Sequence, residues 1–131
     1  MKSSSILITA LLAVGLSTQA ASAQQGAIGR TDLVQEPISA QGHEVVQVRV
    51  DFEAGAVSIK HNHPGEEVAY VLEGTLEYQL EGRQPVTLTA GQSLFIPDGV
   101  AHVARNVGSG KASELATYIV RSGEKIFAPV K

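Results

Sequence analysis

The fold of this chain is decided at residues 55–74, which read GAVSIKHNHPGEEVAYVLEG. His61 and His63 are separated by one residue, and on a β-strand residues i and i+2 point to the same face. If that face lines the interior of a barrel, the two imidazoles converge on one point. Glu67 can close on the same point after the intervening Pro-Gly pair turns the chain. The stretch therefore predicts two nitrogen ligands and one oxygen ligand for a metal ion.

A second stretch, GQSLFIPDGVAHVARN at residues 91–106, places a third histidine, His102, just after the turn-forming residues Pro97-Asp98-Gly99. Three imidazole nitrogens and a carboxylate oxygen would lie at about 2.0–2.2 Å from a bound ion. This ligand set suits Zn, Fe, Mn, Ni or Cu better than Ca or Mg, which prefer oxygen ligands. The sequence thus predicts one divalent transition metal and leaves its identity open among these five elements.

Short segments rich in Val, Ile, Leu, Thr and Tyr follow one another along the chain and are typical of β-strands. Turn formers such as Glu73-Gly74 and Gly108-Ser109-Gly110 separate them, and no helix of ordinary length fits between them. Strands are predicted at residues 45–52, 56–63, 68–72, 75–80, 86–88, 93–96, 102–106 and 115–120. This pattern predicts an all-β sandwich or barrel, a group that includes the double-sheet jelly rolls.

Two of these strands differ in how their apolar residues are distributed. In residues 75–80, Leu76, Tyr78 and Leu80 alternate with polar residues, which predicts one buried and one solvated face. Among the tyrosines, Tyr78 is therefore the best candidate to reach a pocket. Residues 68–72 are apolar at every position, and a strand covered on both faces indicates a sandwich centre or a subunit contact.

Both quoted stretches resemble the signature motifs of the cupin superfamily. The first motif is glycine, five residues, His-x-His, three residues, glutamate, six residues and glycine, and it is met by Gly55, His61, His63, Glu67 and Gly74. The second is glycine, five residues, Pro-x-Gly, two residues, histidine, three residues and asparagine, and it is met by Gly91, Pro97, Gly99, His102 and Asn106. The resemblance implies a single-domain cupin jelly-roll β-barrel with His61, His63, Glu67 and His102 as metal ligands.

The other motif residues are interpreted as structural. Glycines at strand ends, Gly74 among them, provide a positive φ or a close backbone approach. Pro97 stiffens the turn that delivers His102. Asn106 is expected to bond the backbone of a loop rather than a ligand.

The first 23 residues are typical of a secretory signal peptide. Lys2 precedes an apolar run from Ile6 to Leu16, which is shorter than the roughly 20 residues needed to cross a bilayer. The run leads to Ala21-Ser22-Ala23, an Ala-x-Ala cleavage site. We expect residues 1–23 to be removed, and the mature protein to be periplasmic or secreted without membrane contact.

Residues 24–42 contain Gly, Pro, Ser and Gln without sustained periodicity and are interpreted as an N-terminal arm. Such an arm has little core of its own but can pair as an edge strand, in its own chain or in a neighbour's sheet. The barrel domain is predicted at residues 43–131. Together with residues 68–72, which are apolar on both faces, the arm leads us to expect a homodimer.

Overall composition narrows the range of partners. The formal net charge of -3 lacks the basic excess that attracts nucleic acid, so none is expected. With 131 residues there is room for one domain, and the absence of cysteine excludes disulfides, thiolate ligands and a cysteine nucleophile. The expected partner is a small-molecule substrate or ligand.

The ligand set predicts a metal-dependent enzyme, and the favoured reaction is that of a dioxygenase acting on a small oxygenated organic substrate. Four protein ligands leave open positions on a five- or six-coordinate ion, where substrate oxygen and dioxygen can bind together. Glu67 is the predicted catalytic residue, because a carboxylate ligand can double as a general base. Two alternatives stay open: a non-catalytic module that binds a small ligand or metal outside the cytoplasm, and an oxygen-independent isomerase or lyase.

Overall fold

The computed structural model describes residues 27–131, where ten strands form. They are β1 (Ile28–Pro37), β2 (His43–Phe52), β3 (His61–Asn62), β4 (Gly65–Glu73), β5 (Thr75–Leu80), β6 (Val86–Thr89), β7 (Ser93–Ile96), β8 (His102–Asn106), β9 (Ala112–Arg121) and β10 (Ala128–Pro129). Two antiparallel sheets result, with strand orders β1-β2-β9-β4-β7 and β10-β3-β8-β5-β6. The predicted all-β jelly roll is confirmed. The predicted signal peptide and residues 24–26 lie outside the described part of the chain.

Most strand bounds follow the alternation in the sequence. The strands predicted at 75–80, 93–96 and 102–106 have those bounds, whereas in the segment predicted at 56–63 the only named strand is His61–Asn62. Upstream of it, the Ser58 hydroxyl accepts a hydrogen bond from the Ala104 amide at 2.9 Å, and the Ser58 amide donates to the Ala104 carbonyl at 2.9 Å. A side chain thus takes the place of a backbone acceptor and interrupts the regular ladder.

The two sheets meet along one apolar interior. On β4, Ala69 and Val71 are buried, and on β5 Leu76, Tyr78 and Leu80 are buried in the same cluster, so alternating positions of both strands face inward. The remaining members of this core include Phe52, Leu88, Ile96, Ala104 and Ala112. The predicted inward face of residues 75–80 is confirmed.

The outer face of β4 is open in the single chain. Val68, Tyr70 and Leu72 are 42%, 40% and 39% exposed, and Phe95, which lies opposite Val68 on β7, is 55% exposed. The prediction that residues 68–72 are covered on both faces at the centre of a sandwich is therefore wrong. Of this segment, Ala69 and Val71 alone point into the core. A subunit contact on the outer face stays a prediction.

The segment interpreted as an arm forms β1, which pairs with β2 from Ile28 to Pro37 with a bulge between Asp32 and Val34. Most of its side chains are exposed, as expected for an edge strand. Its beginning is an exception, because Ile28 packs against the core and Arg30 reaches the cavity described below. Within residues 27–131 no helix is long and apolar enough to cross a membrane.

Two glycines permit the path of β4. A Cβ on Gly65 would lie 2.0 Å from the Ile119 carbonyl oxygen, so only glycine allows β4 to approach β9 this closely. Gly74 ends the strand with φ of 74° and would also collide with the Lys111 carbonyl oxygen, at 2.5 Å. The predicted structural role of Gly74 is confirmed. Glu67 lies two residues after Gly65, on the same buried face of β4.

Candidate metal centre

The four side chains predicted as ligands come from three strands and one loop position. His61 lies on β3 and is directly paired with His102 on β8, Glu67 lies on β4, and His63 follows β3 immediately. All four are buried. The structure thus brings together residues that are up to 41 positions apart in the sequence.

The three imidazoles are close enough to share one ion. Ring centroids are separated by 4.4 Å between His61 and His102, 4.9 Å between His61 and His63, and 5.1 Å between His63 and His102. One potential ligand atom from each ring lies within 4.8 Å of the others. This spacing could hold a metal ion at the centre of the group.

Each ring is oriented by a hydrogen bond to the main chain. Nδ1 of His61 bonds the Ile59 carbonyl at 2.8 Å, Nδ1 of His102 bonds the Val100 carbonyl at 2.9 Å, and Nδ1 of His63 bonds the Ile126 carbonyl. A carbonyl can only accept, so Nδ1 carries the proton in all three rings. The Nε2 lone pairs are therefore left free for a metal, an arrangement typical of metal-binding histidines.

Glu67 closes the fourth side of the centre. Its Oε2 lies 2.9 Å from His63 Nε2 and 3.4 Å from His102 Nε2. With Nδ1 protonated, His63 Nε2 and Glu67 Oε2 are both acceptors, and neither has a hydrogen-bond partner within residues 27–131. Two buried polar atoms aimed at a common point without satisfying each other fit a site that binds a metal ion.

The ionisation of the group favours the same interpretation. Burial lowers the pKa of His61 to about 4, against the opposing effect of its hydrogen bond to Ile59, so this ring is neutral at pH 7. Burial opposes the ionisation of Glu67, but the contacts with His102 and His63 outweigh it and lower the pKa of this carboxyl to about 2. A neutral imidazole and an ionised carboxylate are the forms that bind a divalent metal. The donor set therefore fits a transition metal.

A cavity of about 130 Å³ adjoins the centre, and His61, Glu67 and His102 form part of its wall. The rest of the wall is largely apolar, with contributions from Ile28, Val50, Phe52, Ala104 and Phe127. Phe127 stacks on His61 with ring centroids 4.4 Å apart. Such a cavity excludes most water from the centre while leaving room for a small molecule.

Five polar side chains complete the cavity: Arg30, Ser58, Tyr78, Glu114 and Tyr118. Tyr78, the tyrosine named as the best candidate to reach a pocket, lies on this wall and also packs in the core. Its hydroxyl donates to a carboxylate oxygen of Glu114, which is buried. Arg30 lies over the ring of Tyr118, with Cζ 5.9 Å from the ring centroid, and supplies a positive charge at the cavity wall.

Sequence reasoning missed Arg30, Glu114 and Tyr118. A signal for Glu114 was present, because it occupies an inward position of β9 between apolar residues, and an acidic residue there is unusual. Nothing in the sequence signalled Arg30, since its place in the cavity depends on the pairing of β1. Asn106 behaves as predicted: its side-chain amide donates to the carbonyls of Glu53 at 3.1 Å and Gly110 at 2.8 Å.

Comparison with known proteins places the chain in a family. Residues 48–118, more than half of the chain, match the model of the cupin domain. The chain belongs to the cupin family. Germin-like protein 1-1 of Oryza sativa subsp. japonica is 33% identical over 79 residues, which are 56% of this chain and 37% of that protein. Dimethylsulfoniopropionate lyase DddQ of Ruegeria pomeroyi is 40% identical over 45 residues, which are 34% of this chain and 22% of that protein.

Solved structures agree on the fold. The crystal structure of DddQ matches with a TM-score of 0.68 and 24% identity, over 81% of this chain and 53% of that one. An oxalate oxidase structure matches with a TM-score of 0.65 and 24% identity, over 79% and 55% of the two chains. At these identities the likeness concerns the barrel alone. The matched region spans about a third or less of the length of the two curated relatives named above.

Proposed function

We propose that this protein is a metal-dependent enzyme in which His61, His63, His102 and Glu67 hold one divalent transition metal beside the cavity. The observation that carries the proposal is the convergence of three oriented Nε2 atoms and one buried carboxylate oxygen beside a largely apolar chamber. A metal bound there supplies Lewis acidity and open positions for ligand oxygen. Apolar walls strengthen that effect by keeping water away.

The cavity volume limits the substrate. A chamber of about 130 Å³ is smaller than the roughly 300–1,000 Å³ typical of pockets for drug-sized ligands. It is close to the engineered cavity of about 150 Å³ that accepts benzene. We therefore propose a small oxygenated organic substrate, of about the size of one six-membered ring.

Dioxygenation remains the reaction that we favour, with Glu67 as the general base. Its Oε2 lacks a well-formed hydrogen bond and is directed into the centre, so it can take a proton from a substrate hydroxyl. The low pKa of Glu67 makes it a weak base while His63 and His102 stay in contact with it. A substrate that draws the carboxylate away from these rings would raise its pKa and make it a stronger base.

The test compares Glu67→Gln with wild type in metal content, oxygen uptake and product formation with phenolic and diketone compounds of the stated size. We expect the variant to retain much of its metal on three histidines while turnover falls by about 100-fold or more. Glu66→Gln is the matched control, because its side chain lies on the opposite face of β4. Turnover that falls only in proportion to lost metal would remove the base role from Glu67.

An oxygen-independent lyase is the second candidate, favoured by the name of DddQ, the 40% identical relative. The same assay under anaerobic conditions separates the two reactions. Product that forms equally without oxygen would replace the dioxygenase by a lyase or isomerase. Failure of fully metallated wild type to form product from any of these compounds would favour the non-catalytic binding module.

We also propose that the protein acts as a homodimer in the periplasm or outside the cell. The signal-like N-terminal sequence supports export. The exposed apolar side chains on the outer face of β4 and β7, Val68, Tyr70 and Phe95 among them, support a contact with a second copy.

A further inference from the structure

One buried acid in the cavity is not used by the proposed metal site. Glu114 on β9 is 5% exposed, and within residues 27–131 it forms no ion pair with lysine, arginine or histidine. Its only side-chain hydrogen bond there comes from the Tyr78 hydroxyl to Oε2. A buried carboxylate without a cation is costly, so the protonated form is favoured.

The surroundings of Glu114 also favour its protonated form. Burial is the main cause that raises the pKa of Glu114 to about 8, followed by the negative charge of Glu67, while the Tyr78 hydrogen bond opposes the rise. The other titratable groups on the cavity wall are His61 on β3, His102 on β8, Tyr118 on β9 and Arg30 on β1. None of these four compensates a charge on Glu114. At pH 7 the side chain is mainly a neutral acid with an O–H to donate.

The placement of this acid points to a ligand. Glu114 and Tyr78 line the same cavity as His61, Glu67 and His102, and Oε1 of Glu114 has no hydrogen-bond partner in the described part of the chain. If the role were packing alone, an apolar side chain of similar size would fill the space without the cost of burying a carboxyl group. The cavity therefore has a metal-binding group on one part of its wall and a hydrogen-bond donor on another.

We propose that Glu114, held by Tyr78, donates a hydrogen bond to a second oxygen of the ligand whose first oxygen is at the metal centre. The ligand class is then a compact molecule with two oxygen functions, such as a dicarbonyl or a hydroxy ketone. The role of Glu114 as a neutral donor follows from its own surroundings, and the position of the ligand's first oxygen rests on the proposed function.

Infrared spectroscopy of the zinc-loaded full chain tests the neutral donor without any ligand. The C=O stretch of a protonated carboxylic acid is expected in wild type at pH 7. It should be absent from Glu114→Gln, shifted in Tyr78→Phe because a hydrogen bond is lost, and unchanged in the control Glu66→Gln. Absence of the band in wild type, or its persistence in Glu114→Gln, would overturn the proposal while leaving the metal site intact.

Calorimetric titration with pentane-2,4-dione tests the contact with the ligand. Glu114→Leu, which removes the donor and keeps the bulk, should bind the zinc-loaded protein about 10-fold more weakly than wild type. Glu114→Gln keeps a donor and should bind within a few-fold of wild type. It should also lack the weakening that wild type shows at higher pH, where Glu114 loses its proton. If Glu114→Leu fails to fold, the pH dependence of binding in Glu114→Gln still tests the proposed hydrogen bond.

Equal affinity of wild type and Glu114→Leu, or the same pH dependence in wild type and Glu114→Gln, would overturn the inference. If wild type holds zinc but does not bind the dione, the proposed ligand contact is wrong. If wild type holds no zinc, the proposed function fails. The infrared band then reports on Glu114 separately.

Discussion

Two glutamates in the same cavity show how strongly local partners control ionisation. Glu67 on β4 and Glu114 on the neighbouring strand β9 are 2% and 5% exposed. Burial opposes the charge on both, yet the pKa of Glu67 falls to about 2 and that of Glu114 rises to about 8. Glu67 faces two imidazoles, whereas Glu114 faces a tyrosine hydroxyl. The partner, rather than the degree of burial, decides the sign of the shift.

This difference divides the cavity into two chemical environments. An ionised carboxylate among imidazoles attracts a cation, and a neutral carboxylic acid beside a phenol offers a hydrogen bond to a neutral or anionic oxygen. Pairs of acids whose pKa values are pushed apart in this way commonly divide acid and base roles in enzymes. Substitutions can remove either the cation-binding environment around Glu67 or the hydrogen-bond donor at Glu114.

The largest effect is expected when the cation-binding environment is removed. His61→Ala combined with His63→Ala should abolish stoichiometric metal. Only Glu67 and His102 then remain as ligands, and two ligands do not hold a transition metal tightly. Metal at 1,000 times its Kd should stabilise wild type by about 4 kcal/mol and leave the double variant unaffected. Elemental analysis and thermal unfolding measure both. His43→Ala, which changes the histidine on β2 outside the cluster, is the control, and equal metal content in the double variant and wild type would contradict the site.

A smaller effect is expected from the pH dependence of Glu114. The folded protein keeps a proton on this acid up to about pH 8, whereas the unfolded chain releases it near 4.5, the ordinary pKa of a glutamate. The free energy of unfolding should therefore fall as pH rises from 4.5 to 8, because the unfolded chain binds fewer protons than the folded protein in this range. Denaturant unfolding of wild type and Glu114→Gln across this range isolates the effect as a difference. Parallel curves for the two proteins would show that Glu114 ionises normally.

The smallest effect on the cavity is expected from the other face of the same strand. Val68→Ser with Phe95→Ser changes exposed side chains, so metal content and the infrared band of Glu114 should stay as in wild type. If these residues form the proposed dimer contact, light scattering should give half the mass of wild type. A monomer mass for wild type at micromolar concentration would contradict the homodimer.

Much of the barrel was predictable because its strands alternate. The bounds of β5, β7 and β8 follow from local patterns of apolar residues and turn formers, which depend on neighbours in the chain. The segment before His61 was not predictable to the same degree. Its ladder is interrupted by a hydrogen bond between Ser58 and Ala104, which are 46 residues apart. The exposure of the outer face of residues 68–72 was not predictable either, since an apolar sequence does not reveal whether another part of the protein covers it.

The sequence by itself determined the four side chains of the candidate metal centre and the two motifs that deliver them, because fixed spacing around tight turns sets where His61, His63, Glu67 and His102 point. Only the tertiary structure decided what surrounds them. The Ile126 carbonyl that orients His63 lies 63 residues away, and the Tyr78 hydroxyl that holds Glu114 lies 36 residues away. These contacts depend on how sheets and termini pack, and strand periodicity contains no information about which distant groups will meet.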